Sequence, residues 1–305
     1  MSQSGERPEI RELLSIRDWL RYGVSRFHAE KLVFGHGTAS ALDEAAFLIL
    51  HTLSLPIDDL EPWIDARLTV RERLAVLDII DKRISSRKPA PYIVGEAWIG
   101  PYRFSVDERV IVPRSYIGEL MISGFDGLIE DLGRVERVLD LCTGSGCLAI
   151  LAAQQFPDAI VDGVDISRDA LDVARDNVAD YGLSERVELV CSDMFEKLVG
   201  RTYDLIISNP PYVTDDAVAA FPKEFAAEPI LAHAGGADGL DFAHRIMRNA
   251  RQHLSEDGCL IVEVGQARDA LEAAYPNTNF FWASTETSDG EVFTLRARDL
   301  DALTS

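Results

Sequence analysis

The chain has 305 residues, 47% of them hydrophobic, with four cysteines and a formal net charge of −21. Such a chain buries a large core, as one big domain plus a small one, and it contains no apolar run of transmembrane length. Cys142, Cys147, Cys191 and Cys259 have neither disulfide-scaffold density nor CxxC spacing, so they read as small buried residues and no metal site is expected.

The opening Met1-Ser2-Gln3-Ser4-Gly5-Glu6 lacks the basic and apolar regions of a signal peptide, so a cytoplasmic protein is expected. The charge is unevenly placed: residues 1 to 89 hold 13 Lys and Arg against 14 Asp and Glu, and residues 90 to 305 hold 17 against 37. An acidic surface repels phosphate backbones and attracts basic partners, although acidity also simply keeps a protein soluble. Stable nucleic-acid binding is therefore not expected.

Ile10, Leu13, Leu14, Ile16, Trp19 and Leu20 recur near helical spacing, and Phe27 to Phe34 continues the pattern. Gly35-His36-Gly37-Thr38 breaks it, Asp43 to Leu50 resumes it, Pro56 interrupts again, and a last helix is expected from Thr69 to about Ser85. Residues 1 to 89 thus read as a small helical domain for packing or interaction. His28, His36 and His51 do not form a ligand spacing. Residues 90 to 113 read as a connector. Two β-prone runs, Tyr92 to Ile99 and Tyr102 to Val106, flank Gly100-Pro101 and predict a hairpin, and Val110-Ile111-Val112-Pro113-Arg114 follows. A connector of this kind either only joins domains or also shapes a cleft.

From Val135 the pattern becomes strand, helix, strand. Val135 to Leu141 predicts a strand containing Asp140, Cys142 to Gly146 a tight loop, and Cys147 to Ala153 a helix. Glycines in such a loop let the backbone approach a ligand and aim helix N–H groups at an anionic group. The loop lacks the full GxGxxG pattern and is by itself a weak signal. The strand Ile160 to Asp165 ends in an acid about 20 residues beyond the loop, where a carboxylate reaches ribose hydroxyls. Ser167 caps a helix from Arg168 to Tyr181, and Val187 to Cys191 is a third strand. At its end, Asp193 and Met194 offer an acid to an exocyclic amine and an apolar face to a flat base. Asp165 as a helix-start acid and Asp193 as a loop acid are the structural alternatives.

Tyr203 to Ser208 is a fourth strand, stopped by Asn209-Pro210-Pro211-Tyr212, because neither proline can donate a ladder hydrogen bond. Prolines fix the backbone, so the Asn209 side-chain oxygen and the Pro210 carbonyl become two fixed acceptors with the Tyr212 ring nearby. That constellation suits a planar NH2 group, one N–H to each acceptor and the ring against the plane. A plain strand-ending turn is the alternative. Residues 215 to 239 read as a long loop covering substrate or packing on the surface. A helix from Asp241 to Leu254, strand Cys259 to Val264, helix Ala267 to Ala274 and strands Phe280 to Ser284 and Glu291 to Arg296 complete an α/β fold with seven strands, the last pair a hairpin.

Asp140-x-x-Thr143-Gly144-Ser145-Gly146, Asp165, Asp193 and Asn209-Pro210-Pro211-Tyr212 together resemble a class I S-adenosylmethionine methyltransferase, Rossmann-like, that modifies an amino nitrogen. The rest of the chain resembles the protein-glutamine methyltransferases: a small N-terminal helical domain, a β-hairpin connector over 90–113, and a methyltransferase domain over 114–305. Val112-Pro113-Arg114-Ser115-Tyr116, where the release-factor enzymes have an Ile-Pro-Arg-Pro-Glu-Thr-type run, and Phe34-Gly35-His36-Gly37-Thr38 with Asp43-Glu44-Ala45 are similar to the branch that acts on large-subunit ribosomal protein L-three.

The resemblance implies S-adenosyl-L-methionine as cofactor and a basic ribosomal protein as partner. It assigns Thr143, Gly144 and Gly146 to the cofactor's methionine end, Asp165 to its ribose, and Asp193 and Met194 to its adenine region, with Asp140 and Asn209 also counted as cofactor-binding. Asn209 and Pro210 would be catalytic, and Arg114, Asn209, Pro210, Pro211 and Tyr212 would hold the glutamine amide. Cys142 stands where the family often has glycine. Release-factor methylation, adenine methylation of nucleic acid and a non-catalytic cofactor-binding scaffold are the alternatives.

Overall fold

The computed structural model describes residues 7–129, 132–285 and 287–301. The chain forms two compact units, Met1–Glu96 with Pro222–Ala227, and Ala97–Phe221 with Glu228–Ser305.

The first unit is built from α1 (Pro8–Glu12), α2 (Ile16–Ala29), α3 (Ala41–Thr52), α4 (Val70–Ser86) and α5 (Ala90–Val94). The continuous periodicity from Ile10 to Leu20 conceals a break. The Asp18 carboxylate accepts from the N–H groups of Leu14 and Ser15 at 2.9 Å, and the Ser15 hydroxyl accepts from Asp18 N. This capping box starts a new helix, satisfying donors that a continuous helix would not expose. Trp19, Phe27, Leu48, Ile49, Val76 and Ile80 form the core.

Tyr92 to Val94, expected as strand, is helical. Pro91 lies in the first turn and Gly95, at φ +82°, closes the helix by donating its N–H to the Pro91 carbonyl at 2.8 Å. Inside the bundle, Arg83 Nε donates to Glu44 Oε1 at 2.6 Å with both side chains fully buried. The Pro222–Ala227 segment joins this unit through Glu224, whose carboxylate accepts from Val33 N and pairs with Arg87 at 2.9 Å. Phe225 lies 4.1 Å from the buried His36 ring. Gly35 is required beside it, since a β-carbon there would lie 3.3 Å from Phe225 Cζ at φ +122°.

The second unit takes up the chain within β1 (Glu96–Ile99), which pairs with β2 (Tyr102–Ser105) in the expected hairpin. Then come α6 (Tyr116–Ile122), β3 (Arg137–Leu141), α7 (Cys147–Gln155), β4 (Ile160–Asp165), α8 (Arg168–Asp180), β5 (Val187–Cys191), β6 (Tyr203–Ser208), α9 (Asp215–Ala219), α10 (Asp241–Ala250), β7 (Leu254–Glu263), α11 (Arg268–Ala274), β8 (Phe281–Ser284), β9 (Asp289–Arg296) and α12 (Ala297–Leu300). The seven-stranded sheet has the order β5-β4-β3-β6-β7-β9-β8, with β9 antiparallel to both its neighbours and the other pairs parallel.

Leu139, Ile206, Leu260 and Phe293 are fully buried, as strands covered on both faces must be. Strand order reverses between β3 and β6, where Leu141 pairs with Ser208. The glycine loop after β3 and the Asn-Pro-Pro-Tyr turn after β6 therefore emerge side by side at the switch point, the place where open α/β sheets bind ligands.

Candidate active site

The glycine loop is shaped by left-handed backbone at alternate positions: Cys142 at φ +59°, Gly144 at +55° and Gly146 at +79°. Thr143 N donates to Val164 O at 2.9 Å and Gly146 N to Thr143 O at 2.9 Å, which folds the loop over the end of β4. Gly146 must be bare because a β-carbon would lie 3.1 Å from Ala174 Cβ, whereas one at Gly144 would meet nothing within 4 Å. The backbone at Gly144 thus faces open space.

Asp140 is fully buried and accepts from Thr143 Oγ1 at 2.5 Å, and burial pushes its carboxyl up to about 7. Asp165 accepts from Gly144 N at 2.9 Å and from Ser167 N at 2.8 Å. One carboxylate therefore joins the loop to the start of α8, where Ser167 caps as expected. Burial raises the Asp165 pKa against the pull of these two donors. Asn177 of α8 adds a tie, donating to Ser145 O at 2.9 Å and Ser105 O at 3.0 Å.

At the end of β5, Asp193 accepts from Arg245 Nη2 of α10 at 2.7 Å. Met194, at φ +49°, is buried in the sheet core with Leu141 and Val164. The cysteines depart from expectation: Cys259 is buried, while Cys142, Cys147 and Cys191 are only half-buried, since each lies in or beside a loop at the open edge of the sheet.

The acceptor side is built around Asn209. Its Nδ2 donates to the Arg114 carbonyl at 3.1 Å. A carbonyl only accepts, so this bond identifies Nδ2 as the donor and leaves Oδ1 as the amide's acceptor. Pro210 and Pro211 are buried. Three glycines confine Tyr212: a β-carbon at Gly235 would lie 2.7 Å from its Cα, one at Gly239 2.3 Å from its carbonyl oxygen, and one at Gly265 2.6 Å from its ring. The Tyr212 hydroxyl donates to Glu263 Oε1 at 3.1 Å, and burial pushes the phenol pKa up.

The Arg114 guanidinium forms a fork with Glu228, Nη1 to Oε1 and Nη2 to Oε2 at 2.7 Å each. Glu228, whose side chain is fully buried, also accepts from Val112 N at 2.9 Å and lies 2.9 Å from His233 Nε2. The resemblance gives Arg114 to the substrate, and the structure places its guanidinium on Glu228 and its carbonyl on Asn209.

Asp140, Thr143, Gly144, Gly146 and Asp165 are thus brought together after β3 and β4, Asp193 and Met194 stand at the end of β5, and Arg114 joins Asn209 to Tyr212 after β6. Arg245, His233 and Glu263 complete these contacts and carry no motif of their own. The only sign of Glu263 in the sequence is an acid inside an otherwise apolar run, Cys259 to Val264.

S-adenosylmethionine fits the residues present: a glycine loop open at Gly144, and strand-end carboxylates at Asp165 and Asp193 suited to hydroxyl and amino donors.

Residues 121–229 match the family model described as methyltransferase small domain. Three curated relatives bear the name ribosomal protein uL3 glutamine methyltransferase. The protein of Neisseria gonorrhoeae is 53% identical over 95% of this chain and 96% of its own length. That of Bradyrhizobium diazoefficiens is 52% identical over 95% and 93%, and that of Bordetella pertussis 50% over 95% and 97%. With half its residues shared along nearly its whole length, and with the glycine loop and Asn-Pro-Pro-Tyr turn side by side, the chain belongs to the family of ribosomal protein uL3 glutamine methyltransferases.

Proposed function

We propose that this chain transfers the methyl group of S-adenosylmethionine to the side-chain amide nitrogen of a glutamine in large-subunit ribosomal protein uL3. The observation that carries the reading is the fixed Asn209 amide, whose Nδ2 donates to the Arg114 carbonyl at 3.1 Å and so leaves Oδ1 as its acceptor. When bound, the cofactor supplies an electrophilic methyl on a sulfonium.

An amide nitrogen is a poor nucleophile because its lone pair is delocalised into its carbonyl. Asn209 Oδ1 and the Pro210 carbonyl accept its two N–H bonds, hold the nitrogen in line, and offset the positive charge that develops on it. Its proton leaves afterwards, so no strong base is needed. On the cofactor side, Asp165 holds the ribose and Asp193 the adenine amine, and the backbone around Gly144 receives the methionine end.

In this reading the helical unit is the recognition domain. The acid excess of residues 90 to 305, 37 against 17, favours a basic protein acceptor, and the work takes place in the cytoplasm. Among the described residues, no helix is long and apolar enough to cross a membrane.

Transfer of labelled methyl to uL3, a release factor and duplex DNA, in parallel, tests the reading. Label on uL3 alone is expected. Label on the release factor alone would reassign the branch, and label on DNA would overturn the substrate class.

A further inference from the structure

Glu263, the last residue of β7, is 1% exposed and has three donors around it. Its Oε1 accepts from the Tyr212 hydroxyl at 3.1 Å, and its Oε2 accepts from Ser115 Oγ at 2.7 Å and Tyr116 N at 3.0 Å. Two residues further on, Gly265 at φ +52° lies against the ring edge, where a β-carbon would come within 2.6 Å of Tyr212 Cε2. One strand end thus fixes the phenol at its hydroxyl and at its edge. The other oxygen of the same carboxyl holds the two residues that follow Arg114, whose carbonyl orients Asn209.

We propose that Glu263 is a positioning residue for methyl transfer, locking the Tyr212 ring and the Asn209 amide into one rigid acceptor site. The inference rests on the glutamine reading above. In it Glu263 touches neither substrate nor cofactor, and it acts through Tyr212 and the 114–116 segment. Burial pushes its carboxyl up to about 7, against the opposing pull of the bonds from Ser115, Tyr212 and Tyr116.

The chemistry predicts which replacement serves. A glutamine can keep its oxygen on Ser115 and Tyr116 N while its NH2 faces the Tyr212 hydroxyl, which also accepts. An alanine serves neither side.

The test is a double-mutant cycle in steady-state methylation, run on whichever of uL3 or the release factor the wild type methylates. The wild-type rates judge the acceptor reading separately from this inference. Glu263→Ala and Tyr212→Phe are each expected to lower kcat about tenfold with the KM for S-adenosylmethionine within about twofold, and Glu263→Gln to restore kcat to within about threefold. The double variant Glu263→Ala/Tyr212→Phe should be no slower than about twofold below Glu263→Ala, because the bond that Tyr212→Phe removes is already lost in Glu263→Ala.

Multiplied losses in the double variant, or a Glu263→Ala protein with normal kcat and a lowered melting temperature, would overturn the proposal. Should Glu263→Ala not fold, Glu263→Gln is compared in the wild-type and Tyr212→Phe backgrounds. Loss of its effect in the second supports the inference, and an equal effect in both overturns it.

Discussion

The two halves of the site are held together by different means. Around the glycine loop the shaping contacts are mostly local: Thr143 bonds Asp140 three residues away, and Asp165 accepts from a loop N–H 21 residues before it, although Asn177 also reaches Ser105 72 residues back. On the acceptor side, they span the chain, 114 residues between Arg114 and Glu228 and 148 between Ser115 and Glu263. The glycine loop is thus folded largely by its own strand-loop-helix unit, while Asp193 at the end of β5 is tied to Arg245 of α10. The Asn-Pro-Pro-Tyr turn depends on partners from distant elements, so its geometry is the one the whole unit must maintain.

Changes to the acceptor side should accordingly do the most damage. Asn209→Ala removes a preorganised acceptor at the reacting nitrogen and is expected to lower kcat on the order of 10²-fold or more, with cofactor affinity changed by less than about threefold. Labelled-methyl turnover and titration calorimetry read the two quantities. Near-normal turnover of the folded variant would remove Asn209 from the mechanism.

Glu228→Ala comes next, acting through the fold. It leaves the Arg114 guanidinium, Val112 N and His233 without their buried carboxylate. Breaking such a group costs about 3 kcal/mol, at the low end for a buried pair because the Arg114 side chain is 29% exposed. Urea unfolding of the full chain measures it, and a wild-type midpoint would show that the long-range ties are dispensable.

Asp165→Ala probes the local half. It should weaken S-adenosylmethionine binding about tenfold, as expected for losing hydrogen bonds from a charged group. Maximal turnover on saturating cofactor should survive. An unchanged dissociation constant would mean that Asp165 serves only Gly144 and Ser167, the helix-start role the sequence also allowed.

The same contrast explains what could be read from the residues alone. The strand ends, the glycine loop, the Ser167 cap and the seven strands follow from short-range pattern: apolar runs, glycines and prolines. The Asn-Pro-Pro-Tyr turn was legible as a fixed turn at the end of its strand, because neither proline can extend the ladder. That the Asn209 NH2 is taken up by the Arg114 carbonyl was not, since that carbonyl lies 95 residues away. Ser115 and Tyr116 stood out as a departure from the release-factor pattern, and only the fold shows that both reach Glu263. Periodicity likewise ran across the Ser15 capping box, because the apolar stripe continues through the break between α1 and α2.

The smallest effect sits at Cys142, where the resemblance would put a glycine. Cys142 holds φ +59° without being glycine, a conformation that costs an ordinary residue about 1 kcal/mol. Cys142→Gly relieves that strain but frees the unfolded chain by a similar amount, roughly 0.5–1 kcal/mol, and gives up a half-buried thiol. The terms oppose each other, so the expected change in unfolding free energy is within about 0.5 kcal/mol. Cofactor affinity should also hold, because the loop meets its ligand through backbone at Gly144. A loss above about 1 kcal/mol in urea unfolding would mean that packing of the Cys142 side chain outweighs the strain it imposes. In that case even the local half of the site would owe part of its shape to tertiary contacts, and the contrast between the halves would be one of degree.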